Sequence, residues 1–122
     1  MRLVHAADGS VASPDDRTTL ATQIDLADSL LAQTRGLMFR RSLPENFALA
    51  FRFDDASTRD VHMLFVFVPL DVIWVADGVV QRVEQLRPWR GFAREHADTI
   101  LELPAGAAAG VEPGDEVALL EE

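Results

Sequence analysis

The chain reads as a succession of short runs in which large apolar side chains fall on every second residue. The clearest is Phe47–Phe53, where Phe47, Leu49, Phe51 and Phe53 face one way and Ala48, Ala50 and Arg52 the other. Alternation of period two predicts a core strand, here with a far side that is only lightly polar. Residues 20–26 repeat the pattern, with Leu20, Ile24 and Leu26 opposite Gln23 and Asp25. The stretch Val61–Val75 is instead almost continuously apolar, interrupted by His62 and Asp71 and split by Pro69. Proline gives no amide to a sheet, so two buried strands, about 61–67 and 70–76, are predicted to meet at a corner there. Asp77-Gly78 matches a two-residue hairpin turn that returns through 79–86. Further strands are expected at 99–103, ended by Pro104, and at 116–120 after the turn Pro113-Gly114-Asp115. Leu3–His5 suggests an edge strand.

One stretch has helical spacing. Asp28 and Ser29 suit an N-cap, Leu30, Leu31, Thr34 and Leu37 recur on one face, and Gly36 suits the left-handed residue that follows a helix. A short helix is predicted over 29–35. Residues 54–60 read as a loop and 87–98 as irregular. Many short strands against one helix give a mainly β, single domain over 1–122, with an N-terminal strand and loop (1–19) and a core (20–120). A β-sandwich or jelly-roll-like barrel is the expected closure, because it hides strand edges.

Composition changes this picture in two ways. The net charge is −9, and all eleven basic residues are arginine. Such a chain repels phosphate backbones, so nucleic acid is not expected as a partner. An acidic, lysine-free surface suits a halophile's high-salt cytoplasm; a GC-rich genome that favours arginine codons is the alternative. There is no cysteine, which removes disulfides and thiol chemistry. The first residues carry no apolar leader, and 61–75 is too short for a membrane span. The expectation is a soluble cytoplasmic protein with no membrane partner, its oligomeric state left open.

Several separated motifs then stand in register with a known family: Thr34-Arg35-Gly36-Leu37-Met38-Phe39-Arg40, Leu43-Pro44, His62-Met63, Pro69-Leu70-Asp71, Leu101-Glu102-Leu103-Pro104-Ala105-Gly106 and Pro113-Gly114-Asp115-Glu116-Val117. In these the chain resembles domain-of-unknown-function family 192, a small prokaryotic family, over about 20–120. The resemblance implies a compact β domain of jelly-roll-like kind and no established activity. Many members carry a polar stretch around the central methionine where this chain has His62-Met63-Leu64-Phe65-Val66, so a site built on those polar residues is not implied here.

Three candidate sites follow from the residues. His62 and Asp71, in so apolar a run, could form a proton-transfer pair; the alternative is a core histidine and an aspartate that accepts backbone amides at the corner. Arg35, near a helix end, could hold an anion, or bridge to a buried carboxylate such as Asp71 or Glu102; Glu102 could equally face solvent. Arg87, Trp89, Arg90, Phe92 and Arg94 form a basic, aromatic loop on an acidic chain, suited to contact; the alternative is a long connection pinned to the core by its aromatics. No histidine spacing suits a metal, and no metal or cofactor is expected. The first functional reading is a non-catalytic binding module that takes a small anionic or polar ligand, or a protein partner, through Arg87–Arg94 and the neighbouring Arg35–Arg41. The alternative is a small enzyme using His62 and Asp71, with Arg35 as anion holder.

Overall fold

The computed structural model describes residues 1–27 and 41–121. The predicted helix at 29–35, and Arg35 with it, lies outside the described residues; among them there is no helix. The strands are β1 (Arg2–Ala6), β2 (Thr18–Ala21), β3 (Gln23–Ala27), β4 (Phe47–His62), β5 (Leu70–Ala76), β6 (Val79–Leu86), β7 (Phe92–Pro104) and β8 (Glu116–Leu120). All eight belong to one sheet, in the order β2-β1-β8-β6-β5-β7-β4-β3. The mainly β class therefore holds. The expected pair of facing sheets is replaced by a single open sheet, and its strand order does not establish a jelly roll.

The open sheet still encloses a core because it is jointed. β6 and β8 share one register pair, Val79 with Glu116, supported by Gly114 donating to the Val80 carbonyl and Val117 to the Gly78 carbonyl. On one side of this joint lies a three-stranded wing, β2-β1-β8, and on the other the five strands β6-β5-β7-β4-β3. Leu3, Ala21 and Val117 of the first wing pack with Ala48, Ala50, Ile73, Val75, Leu101 and Leu103 of the second. The wings thus fold over an inner core. The Asp77-Gly78 turn beside the joint has both residues left-handed, at φ 54° and 78°, as its sequence predicts.

The opposite face of the larger wing carries a second core, built on Phe47, Leu49, Phe51, Val72, Trp74, Ile100 and Met63. This explains the apolar alanines of β4. The alternation correctly places the phenylalanines in a core, but Ala48 and Ala50 are also wholly buried, against the inner core. Small side chains there let the second wing approach.

Two expected boundaries move, and one strand changes its place in the sheet. β4 runs through the predicted loop 54–60, and β7 begins at Phe92, inside the predicted irregular stretch. The two pair across a register shift between Arg52 and Ser57. Arg59 closes that bulge: its guanidinium donates to the carbonyls of Asp55 and Ala97 at 2.9 and 3.3 Å and lies 3.7 Å from the Phe53 ring centre. Side chain–backbone bonds of this kind hold a polar, exposed stretch in extended form that no hydrophobic pattern marks. Finally, β1 is not an edge; it sits between β2 and β8, while β2 and β3 form the sheet's edges.

Candidate functional site

The corner at Pro69 and the connection after β6 meet at one end of the sheet. There Trp89 donates its amide to the Val66 carbonyl at 3.1 Å and Met63 donates to the Gly91 carbonyl at 2.9 Å. Met63 itself is fully buried, so the two loops are sewn to each other and anchored below. Gly91 allows the close approach: a Cβ there would lie 2.8 Å from the Arg87 carbonyl, the Leu86 side chain and the Met63 side chain.

Above this anchor the loops present aromatic rings to solvent. Trp89 packs against Phe65 and Phe67, both with ring centroids at 5.2 Å. Leu64, Phe65, Trp89 and Phe92 are 49, 38, 44 and 53 % exposed. Exposed aromatic clusters of this kind often mark contact surfaces. Guanidinium groups surround it. Arg41 lies 5.5 Å from the Phe67 ring centre and Arg94 the same distance from Phe92. Arg94 also pairs with Asp60 at 3.1 Å. Arg87, Arg90 and Arg94 are exposed, and neither Arg87 nor Arg90 has an ion-pair partner among the described residues. The loop expected from Arg87, Trp89, Arg90, Phe92 and Arg94 is thus one half of an aromatic–arginine tip. Phe65 and Phe67, which the apolar run 61–75 disguised as core strand, supply the other half.

His62 and Asp71 are not brought together. His62 is exposed rather than buried, and it pairs with Phe92 at the start of β7, whereas Asp71 pairs with Leu103 near its far end. Asp71 is buried and fully used: one carboxylate oxygen accepts the amides of Gly106 and Ala108, each at 2.9 Å, and the other accepts from the Gln85 side chain at 3.2 Å. It does accept backbone amides, those of the turn after β7 rather than of its own corner. Glu102 is buried as well, in a cross-strand row with Leu49 and Val72; it does not face solvent.

A different imidazole–carboxylate pair exists. Nε2 of His5 lies 2.8 Å from Oδ2 of Asp115, which also accepts the Glu112 amide at 2.9 Å. Burial alone would raise the Asp115 carboxyl, but the bonds from His5 and Glu112 and the attraction of the imidazole outweigh it and hold the group below its ordinary value. His5 lines an open groove of about 450 Å³ with Thr18, Asp8 and Asp16. The pairing joins residues that are far apart in sequence, so no local spacing could reveal it. No group of three potential metal ligands exists among the described residues, and no described helix is long and apolar enough to cross a membrane.

A family model matches residues 11–119, as Uncharacterized ACR. The chain belongs to domain-of-unknown-function family 192. Two of the motifs that carry the family resemblance meet in space: Pro69-Leu70-Asp71 supplies the carboxylate that caps the turn of Pro104-Ala105-Gly106. A third, Pro113-Gly114-Asp115, supplies the partner of His5. Two solved structures resemble the chain. A "putative transcription regulator" from Sinorhizobium meliloti is 25% identical, with a TM-score of 0.77 over 96% of this chain and 92% of its own. A protein of unknown function from Novosphingobium aromaticivorans is 24% identical, with a TM-score of 0.79 over 98% and 84%. The second likeness concerns the fold alone. No curated protein matches the chain.

Proposed function

We propose that this member of family 192 is a non-catalytic binding module of a high-salt cytoplasm, and that its recognition surface is the aromatic–arginine tip. The partner that suits the tip is a protein segment carrying carboxylates beside apolar side chains. The observation that supports this most is the backbone at Phe65 and Trp89. Both are left-handed, at φ 62° and 66°, a conformation that bulky residues seldom adopt and that concentrates where function requires it. Rings held this way project outward instead of completing the core below them. Guanidinium groups around aromatic faces form the mixture that dominates protein contact energies.

The name given to the Sinorhizobium protein points to transcription, but a net charge of −9 opposes a nucleic-acid backbone, so nucleic acid stays outside this proposal. The test is selection of displayed peptides on the intact protein, with Trp89→Ala/Arg90→Gln as the counter-selection. Acidic, aromatic-containing peptides that bind the wild type and not the variant are the expected result. Selected peptides that bind both proteins equally would remove the tip from the proposal.

An enzyme working through an imidazole–carboxylate pair is the second reading, and it now rests on His5 and Asp115 rather than His62 and Asp71. Their 2.8 Å contact and the groove beside them favour it. An NMR titration of His5 in wild type and Asp115→Asn tests it. Coupling of an accessible imidazole to the carboxylate supports the pair as proton-transfer machinery, and an imidazole that never titrates removes it.

A further inference from the structure

Between the wings of the folded sheet, beside the joint, lies a cavity of about 110 Å³. Leu3, Val75, Leu101, Val117 and Leu119 wall it, and Arg52 and Thr99 also stand in its lining. The place of Arg52 is unexpected. It pairs with Thr99 across β4 and β7, and Thr99 pairs with Val75 across β7 and β5. Residues directly opposite on neighbouring strands project to the same face, so Arg52, Thr99 and Val75 form one row. Next along that face come Ala50, Leu101 and Ile73, all sealed in the inner core. Arg52 therefore carries its charge on the core-facing side of β4, at the end where the row reaches solvent.

The guanidinium is exposed at the rim of this apolar row, where a carboxylate can reach it. Arg52 has no carboxylate partner among the described residues, although the chain holds twenty acidic residues. Asp98, the neighbour of Thr99 in sequence, has both oxygens engaged: one accepts the Asp77 amide at 2.8 Å and the other the Thr99 hydroxyl at 2.9 Å.

We propose that this cavity binds a small carboxylic acid with a short apolar tail. The tail lies against Leu3, Leu101 and Val117, and the carboxylate meets Arg52 at the mouth. A guanidinium offers two parallel donors that match the two oxygens of a carboxylate. Size sets the tail. An apolar cavity of about 150 Å³ accepts benzene, so this smaller, partly open one seats a tail of about four carbon atoms and leaves the rest of a longer acyl chain in solvent. The site is distinct from the aromatic–arginine tip and stands or falls independently of it.

The test is an NMR titration of the full chain with isovalerate, using neutral isovaleramide and cationic isoamylamine as shape-matched probes. Isovalerate is expected to move the resonances of Leu3, Leu101, Val117 and Arg52. The amide should bind about two- to fivefold more weakly, and the amine should leave those resonances unmoved. Arg52→Met keeps the apolar stem and should lower isovalerate to the affinity of the amide, with a thermal melt showing that the variant is folded. Acetate should bind more weakly than isovalerate, for lack of apolar contact, and octanoate no more tightly, because its further carbons stay in solvent. These last comparisons use the wild type and do not depend on the variant. Equal binding of isovalerate and isovaleramide, an unchanged affinity in folded Arg52→Met, or shifts confined to Arg87–Arg94 would each overturn the proposal.

Discussion

The indole of Trp89 meets the ring of Phe65 edge-on, with centroids 5.2 Å apart and planes at 67°, while both residues hold left-handed backbone. Left-handed backbone costs a side-chain-bearing residue about 1–2 kcal/mol, and an edge-to-face pair returns about 0.5–1.5 kcal/mol beyond its burial. One ring contact does not offset two such costs. The remainder comes from the bonds that sew Trp89 to Val66 and Met63 to Gly91. The tip is therefore held from beneath, and its rings are presented in a fixed arrangement.

Gly91→Ala is the direct test of that support. A methyl group at this position meets a carbonyl oxygen, Leu86 Cβ and Met63 Cγ, each at 2.8 Å, and none of these is the free end of a side chain. Overpacking of this kind costs about 1–3 kcal/mol. Chemical denaturation should show a loss in that range. Trp74 is fully buried and Trp89 is not, so a changed exposed fraction in acrylamide quenching should accompany it. Unchanged stability with unchanged quenching would mean that the two loops are not interlocked.

How legible these features are in the sequence depends on whether their cause is local. β5, β6 and β8 are read to the residue, because Asp77-Gly78 and Pro113-Gly114 bound regular runs. The phenylalanine face of β4 is equally clear. Its alanine face is not, since small apolar residues look the same on a sparse surface and under a second wing. The Val61–Phe67 run misleads for a related reason. Apolar content predicts burial, but Leu64 and Phe65 are displayed, and nothing in periodicity separates a displayed aromatic from a buried one. Arg52 shows the same limit: its alternation is visible, but the fold of the sheet decides that it faces a cavity. The His5–Asp115 contact spans most of the chain, and only the β1–β8 pairing brings it about.

Asp71 makes a second prediction. Its carboxylate takes two backbone amides and one side-chain amide. Gln85 and Gly106 are exposed and Ala108 is buried, so Asp71→Ala strands the Ala108 amide while water can reach the other two donors. Losing bonds to a charged acceptor and leaving one buried amide unsatisfied should cost about 2–3 kcal/mol. Asp71→Asn should cost about 1 kcal/mol, because its oxygen can still take both turn amides and Gln85 can rotate to offer its own oxygen. Urea melts of the two variants check the ranking. Equal losses would show that the negative charge, and not the acceptor geometry, holds the turn of Gly106 and Ala108.

Asp115 predicts an acid-sensitive contact. Its carboxyl is held below the ordinary 3.8, by bonds that outweigh its burial. A group depressed in the folded chain adds stability above its unfolded pKa and loses it as the pH falls through the folded value. At neutral pH Asp115→Asn should therefore be less stable than wild type by about 1–2 kcal/mol. Below the ordinary value of 3.8 the gap should narrow. Denaturation curves at neutral and strongly acid pH provide the comparison, and a gap that widened in acid would contradict the assignment of the contact to an ionised carboxylate.

Salt separates the two explanations of the acidic composition. Three arginine–carboxylate pairs among the described residues, Arg59–Asp55, Arg82–Glu84 and Arg94–Asp60, each include an exposed partner. Such pairs contribute about 0–1 kcal/mol each and weaken as salt screens them. Against this stands the mutual repulsion of a chain with net charge −9, which the same screening relieves as the Debye length falls from about 10 Å at 0.1 M to about 3 Å at 1 M. Repulsion acts across the whole surface and the pairs only locally, so relief should win. The melting temperature should rise by about 5 °C or more between roughly 0.1 and 2 M KCl. Neutralising acidic residues that have no arginine partner among the described residues, such as Asp8 and Asp15, should flatten that rise. If the wild-type melting temperature instead stays level or falls with KCl, the composition reflects codon usage and carries no adaptation to salt.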